Sequence, residues 1–169
     1  MRRVAFGLGA NLGDRVAALQ GAVDILAPLL RDPVVSHVYE TAPIGGPEQP
    51  EYANAVLIGS SELAPLDLLA AAHRAEQEWH RVREVRWGPR TLDVDVLNID
   101  GVVSADPILT LPHPRICERG FVLVPWLEVE PDAMLADGVR LRDQSDVLEA
   151  AERDALVRQR LDVELVVKR

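Results

Sequence analysis

Cysteine is nearly missing from this chain: Cys117 is its only one in 169 residues. That excludes an internal disulfide and makes a reducing compartment, the cytoplasm, the expected setting. Positive charge is also in deficit, with 18 Lys and Arg against 27 Asp and Glu and a net charge of −9. A chain of that sign is a poor general binder of nucleic acid or anionic membrane, so neither is expected as a partner. No apolar run approaches the roughly 18–20 residues that cross a bilayer. The opening MRRVAFGLGANLGD pairs two arginines with an apolar run too short for a signal peptide. There is no G-x-x-x-x-G-K-[ST] phosphate loop. The glycines at 7, 9 and 13 miss the dinucleotide-binding spacing by one residue. Aromatics make up only 4% of the chain, so a ring placed beside polar or glycine-rich sequence stands out.

What is present is ample apolar material, 48% of residues, enough for the core of one domain. Val4 to Leu8 reads as a strand. After the GANLG turn, Asp14 is a suitable N-cap for a helix reaching about Leu30, with Val16, Leu19, Val23, Leu26 and Leu30 on one stripe and Pro28 near its end. Val34 to Glu40 reads as a second strand. Thr41 to Glu51 holds three prolines and two glycines and is expected to be a loop. A third strand spans Tyr52 to Ile58. Pro65 opens a second helix to about His80, with Leu66, Leu69, Ala72, Ala75 and Trp79 inward. A charged connection, Arg81 to Arg90, leads to a fourth strand at Thr91 to Ile99. Asp100-Gly101 then signals a hairpin with Val102-Val103 returning. The order βαββαβ is that of a ferredoxin-like α+β fold with an antiparallel sheet. Beyond it lie a proline-rich loop at 106–114, an apolar segment at 121–129, a helix expected at about 146–160 and a β-rich tail at 161–167, forming a C-terminal extension.

The stretch that carries chemistry is RWGPRTLDVDVL, Arg86 to Leu97. In a strand, Asp93 and Asp95 point to one face while Leu92, Val94 and Val96 point to the other. Two acids sharing a face either belong to a solvated edge or flank cations, and Mg²⁺ takes one or two carboxylates together with substrate phosphates. Arg74, Arg81, Arg83, Arg86 and Arg90 lie just upstream, and guanidinium groups match phosphate oxygens. Tyr52, Trp87 and Phe121 sit in polar or glycine-flanked sequence and suit a flat heterocycle. Asn54 shares a strand face with Tyr52, and its amide could read the edge of such a ring. His113, near Arg115 and Arg119, could donate a hydrogen bond to a phosphate or act as a titrating group.

With these residues in view, the chain resembles the 6-hydroxymethyl-7,8-dihydropterin pyrophosphokinases of folate synthesis. The resemblance runs from about Val4 to Pro131. It rests on RWGPRTLDVDVL, on GANLGD at 9–14, on TAPIGGPEQPEYANA at 41–55, on HRVR at 80–83, where His80 stands in place of a usual glycine, and on LTLPHPRICERGF at 109–121. It implies one domain, 1–169, with the motifs in about 1–131. It implies transfer of pyrophosphate from ATP, the co-substrate, to a hydroxymethyl dihydropterin, with release of AMP. Two Mg²⁺ ions would be held by Asp93 and Asp95. Catalytic roles would fall on Arg81, Arg83, Arg90, Asp93 and Asp95, with Arg81 and Arg83 in a mobile loop. ATP contacts would fall on Glu76, Arg83, Trp87, Arg90, Thr110, His113 and Arg119. Pterin contacts would fall on Thr41, Ala42, Ile44, Tyr52, Asn54, Trp87 and Phe121. The chain departs from the family pattern at Ala42, His73, His80, Glu84, Ile108 and Pro114. A catalytically inactive nucleotide- or pterin-binding module of the same fold is the alternative, and a palm-like nucleotidyl transferase fragment a weaker third. A monomer is expected, with a weak homodimer as the other arrangement.

Overall fold

The computed structural model describes residues 1–11, 13–41, 51–85, 92–144, 146–149, 157–161 and 163–168, with backbone alone at 81–85 and 157–160. Its sheet is built from β1 (Arg2–Ala10), β2 (Arg31–Val35), β3 (Tyr39–Thr41), β4 (Tyr52–Ser61), β5 (Asp93–Ile99) and β6 (Val157–Arg160). The strand order is β5-β1-β4-β3-β6, with β2 also paired to β4. Every pairing is antiparallel. If β2 and β3 are taken as one interrupted strand, the first five strands follow the order of a ferredoxin-like βαββαβ unit.

Alternation along the strands sorts the side chains into two layers. Val4, Phe6, Leu8 and Ala10 of β1, with Ala53, Ala55 and Leu57 of β4 and Val94 and Val96 of β5, face α1 (Arg15–Leu26) and α2 (Pro65–Val85). Asp14 starts α1 as expected: its Oδ1 accepts the Ala17 N–H at 3.0 Å. On the opposite face, Ala5, Val56, Ile58 and Leu97 pack under Leu123 and Trp126 of α3 (Gly120–Val129). The ten residues of α3 cover one end of that face. Toward the other end Gly7, Gly9 and Asp95 are partly accessible, and Asp93 is exposed.

Several expectations need correction. The first helix ends at Leu26 and continues as a 3₁₀ turn, Ala27–Leu29, with Pro28 inside it, since proline has no N–H for the α-helical ladder. The strand expected at 34–40 is two strands. At Ser36 the Oγ accepts the Val56 N–H at 2.9 Å while its own N–H donates to the Val56 carbonyl, also at 2.9 Å, and this side-chain bond interrupts the ladder. The buried stripe of α2 is Leu68, Ala71, Ala72 and Ala75, while Leu66 is 62% exposed. The same helix runs five residues further than expected, so 81–85 are helical rather than a connecting loop. The sequence WHRVREV holds no helix breaker, and Gly88-Pro89 comes only later. Asp100-Gly101 does turn, with Gly101 at φ 74° and Val102 N–H bonded to the Ile99 carbonyl at 3.0 Å. Val102-Val103 forms no returning strand. The apolar segment at 121–129 is α3. Of the helix expected at 146–160, residues 146–149 are helical and 157–160 form β6.

The tail is bound to the core. β6 lies along β3 with Glu40 opposite Gln159 and Thr41 opposite Val157. Leu165 is buried among the α1-side apolar residues. Gln20 of α1 exchanges two hydrogen bonds with the Val166 backbone, at 2.7 and 2.8 Å.

Candidate active site

One row of the sheet organises the site. Tyr39 of β3 is opposite Asn54 of β4, Asn54 opposite Gly9 of β1, and Gly9 opposite Asp93 of β5. Residues directly opposite share a face, so this row lies on the α3 side; Glu128 of α3 meets its Tyr39 end, and its Gly9–Asp93 end is the part α3 leaves uncovered. Gly7 pairs with Asp95 and puts a second residue without a side chain beside an acid. A Cβ on Gly9 would meet Asn54 Oδ1 at 3.1 Å, tighter than ordinary contact. The result is a strip of bare backbone with an amide on one flank and two carboxylates on the other. Asn54 is buried, and its Nδ2 donates to Thr41 Oγ1 at 2.7 Å. Thr41 is itself 1% exposed and pairs with Tyr52.

Asp93 and Asp95 stand on the face expected, with Leu92, Val94 and Val96 buried on the other. Although Asp93 is exposed at its outer side, partial desolvation of its carboxyl against the sheet, and then the negative charge of Asp95, raise it above the ordinary range, against a smaller pull from His80. Glu76 of α2 adds a third acid. Its Oε2 accepts the Val94 N–H at 3.2 Å, closing the outer edge of β5 (an end strand of the sheet). Its carboxyl is raised chiefly by burial, with Asp93 and Asp95 adding to the shift, against a smaller opposing pull from the Val94 bond.

The cationic side comes from the loop before α3. Arg119 Nη1 is 3.9 Å from Asp95 Oδ2, and its guanidinium lies 5.5 Å from the Phe121 ring centroid. His113 is held by its N–H to the Leu97 carbonyl at 2.8 Å, and its Nδ1 accepts the Arg115 N–H at 3.2 Å. In the neutral ring that assigns the proton to Nε2. Burial lowers the His113 pKa, and Arg119 and Arg115 lower it further against the pull of Asp95. Thr110 Oγ1 is engaged with the Asp106 carbonyl at 3.0 Å.

Two hard oxygen donors on one face suit Mg²⁺, which leaves its remaining positions to water and phosphate oxygens. Among the described residues no group of three or more His, Cys, Asp or Glu is arranged to hold a metal by protein atoms alone.

The family model described as 7,8-dihydro-6-hydroxymethylpterin-pyrophosphokinase matches residues 5–131. The chain belongs to this family. It is 44% identical over 137 residues to the 2-amino-4-hydroxy-6-hydroxymethyldihydropteridine pyrophosphokinase of Methylorubrum extorquens, covering 80% of this chain and 87% of that one. To the protein of the same name from Pseudomonas aeruginosa it is 41% identical over 143 residues, covering 83% and 88%. Among solved structures, an HPPK-DHPS in complex with substrates superposes with a TM-score of 0.68 at 12% identity, covering 94% of this chain and 45% of that one. The Plasmodium falciparum HPPK-DHPS wild type with pteroate gives 0.69 at 12% identity, covering 91% and 46%. The chain thus spans a little under half the length of those solved chains, and at that identity the likeness concerns the fold.

Of the residues expected from the family resemblance, the structure places Asn54 on the row that ends at Asp93 and the Thr41–Tyr52 pair next to it. It groups Asp95, His113, Arg119 and Phe121 beside it. Glu76 reaches the site through Val94. Ala42, Ile44, Trp87 and Arg90 lie outside the described residues, as do the side chains of Arg81 and Arg83, whose backbone belongs to α2. Sequence reasoning missed Gly7 and Gly9. The signal was available: they occupy alternate positions of β1, out of phase with Val4, Phe6 and Leu8.

Proposed function

We propose that this chain transfers the pyrophosphoryl group of ATP to the hydroxymethyl group of 6-hydroxymethyl-7,8-dihydropterin, releasing AMP, as a step of folate synthesis. The observation that carries the reading is the juxtaposition of the Asp93–Asp95 face with the bare glycine strip and the Thr41–Asn54 pair, in a chain of this family. Asp93 and Asp95 would hold two Mg²⁺ ions, which supply charge neutralisation and alignment of the triphosphate when bound. Asn54, fixed by Thr41, would orient the pterin edge through its Oδ1, while Tyr52 and Phe121 would border the ring. Arg119 and His113 would bind phosphate oxygens, together with Arg83, Arg90, Trp87, Thr110 and Glu76 on the nucleotide side. Ala42 and Ile44 would complete the pterin side.

The substrate hydroxyl oxygen bonds to the β-phosphorus as the bond from the β-phosphorus to the bridging oxygen of the α-phosphate breaks. The hydroxyl proton passes to solvent and AMP departs. Catalysis then rests on positioning and on charge placed where the transferring group needs it. Arg81, Arg83 and Arg90 would supply part of that charge. We take the chain to act as a single domain and a monomer in the cytoplasm, with ATP and the pterin as its partners. No helix among the described residues is long and apolar enough to cross a membrane.

The test is product analysis after incubation with ATP, Mg²⁺ and the hydroxymethyl dihydropterin. AMP and the pterin diphosphate in equal amounts support the proposal. ADP with a pterin monophosphate overturns it, and pterin binding without turnover supports the inactive module instead.

A further inference from the structure

Arg15, the first residue of α1, holds both strands that lead into the site. Its Nη2 donates to Glu40 Oε2 at 2.7 Å and its Nη1 to the Glu51 carbonyl at 2.8 Å. Glu40 belongs to β3 and Glu51 immediately precedes β4, so one guanidinium ties the two chains on either side of the Thr41–Tyr52 pair. It does so from behind. Thr41 and Asn54 face the α3 side, whereas Glu40 alternates to the α1–α2 side, where its partner position Ala53 lies in the core. Arg15 is therefore placed to act on the pterin-side residues through the sheet, without touching a ligand on the other face.

β3 has three residues, so its ladders to β4 and β6 are both short, the β6 register shifts between Glu40 and Thr41, and Thr41 Oγ1 is the acceptor that orients Asn54. Charge-assisted bonds to planar acceptors are the strongest short-range restraints available there. The Arg15–Glu40 pair is mostly shielded, with side-chain exposures of 27% and 17%.

We propose that Arg15 is a positioning residue for pterin recognition, acting through Glu40 and Glu51 to set the register and spacing of Thr41 and Asn54. The inference rests on the function proposed above for the substrate it names, but its geometric part does not.

Two readouts separate these. Arg15→Ala should speed amide hydrogen exchange along the Tyr39–Thr41 and Tyr52–Asn54 segments by about tenfold, while exchange in β5 and α3 stays as in the parent. In turnover assays the same variant should raise the KM for the pterin about tenfold and leave the KM for ATP within about twofold. Arg15→Lys should recover part of the loss. Glu40→Ala should reproduce much of it, and its effect should not add to that of Arg15→Ala. Unchanged exchange in those segments overturns the inference whatever the enzyme does. A parallel rise in both KM values, or full additivity of the two substitutions, overturns it as well. A parent protein that makes no AMP contradicts the proposed function, and the exchange result then decides the positioning role by itself.

Discussion

Asn54 and Gly9 face each other across β4 and β1 so closely that a methyl group on Gly9 would sit 3.1 Å from Asn54 Oδ1. The amide is buried and its nitrogen end is committed to Thr41, so it has little room to yield. Gly9→Ala should therefore raise the pterin KM by about tenfold, since displacement of a positioning group by a fraction of an ångström is costly. The KM for ATP should stay close to that of the parent. Steady-state kinetics in both substrates checks this.

Thr41→Val is nearly isosteric and removes the acceptor for Asn54 Nδ2. A buried amide left without its partner costs about 1–3 kcal/mol. The expected outcome is a lower melting temperature together with weaker pterin binding, measured by thermal unfolding and by quenching of the chain's tryptophan fluorescence.

Asp95→Ala should reduce kcat by about a thousandfold while the fold stays intact, because a partly exposed strand side chain contributes little to packing. Circular dichroism should superpose on that of the parent. Asp93→Asn removes a like charge held beside Asp95, so stability should stay level or rise by a few tenths of a kcal/mol while activity falls. An active Asp95→Ala protein would remove these residues from the reaction.

Glu128 of α3, which accepts a hydrogen bond from Tyr39 at the outer end of the site row, gives a pH prediction. Burial raises its carboxyl, but the Tyr39 hydroxyl, the His37 N–H and the His37 ring outweigh that and hold it below the ordinary range. The Tyr39 bond is 2.5 Å long. An acid whose pKa is lower folded than unfolded stabilises the protein above the unfolded value, and loses that contribution as pH falls through the folded one. Glu128→Gln should cost about 1–2 kcal/mol at pH 7, and the difference from the parent should shrink below about pH 4. Denaturant unfolding across pH 3–7 measures it.

The placement of the two acids was legible in the sequence because it depends on local alternation. The D-V-D pattern puts both acids on one face whatever the rest of the chain does, and the structure agrees. Helix α1 was legible because Asp14 caps it locally. Features set by distant partners were not. Nothing near Val157 announces a strand, because β6 exists by borrowing the edge of β3 more than a hundred residues earlier. The break at Ser36 depends on a hydroxyl that meets Val56 only after folding. Glu76 is an ordinary helix acid until β5 presents the Val94 N–H. Ala72 and Ala75 of the expected α2 stripe are buried and Leu69 and Trp79 pack against the core, but Leu66 fits the helical spacing as well as Leu68 does, and only the packed sheet chooses between them.

The most direct test of the central claim, that Asp93 and Asp95 hold metal against a triphosphate, is calorimetric titration with α,β-methylene ATP, whose α–β bridge cannot be cleaved. The parent protein should bind it tightly only when Mg²⁺ is present, and Asp93→Ala and Asp95→Ala should each abolish that dependence. Equal affinity with and without Mg²⁺ in the parent, or Mg²⁺-dependent binding that survives both substitutions, would contradict the account.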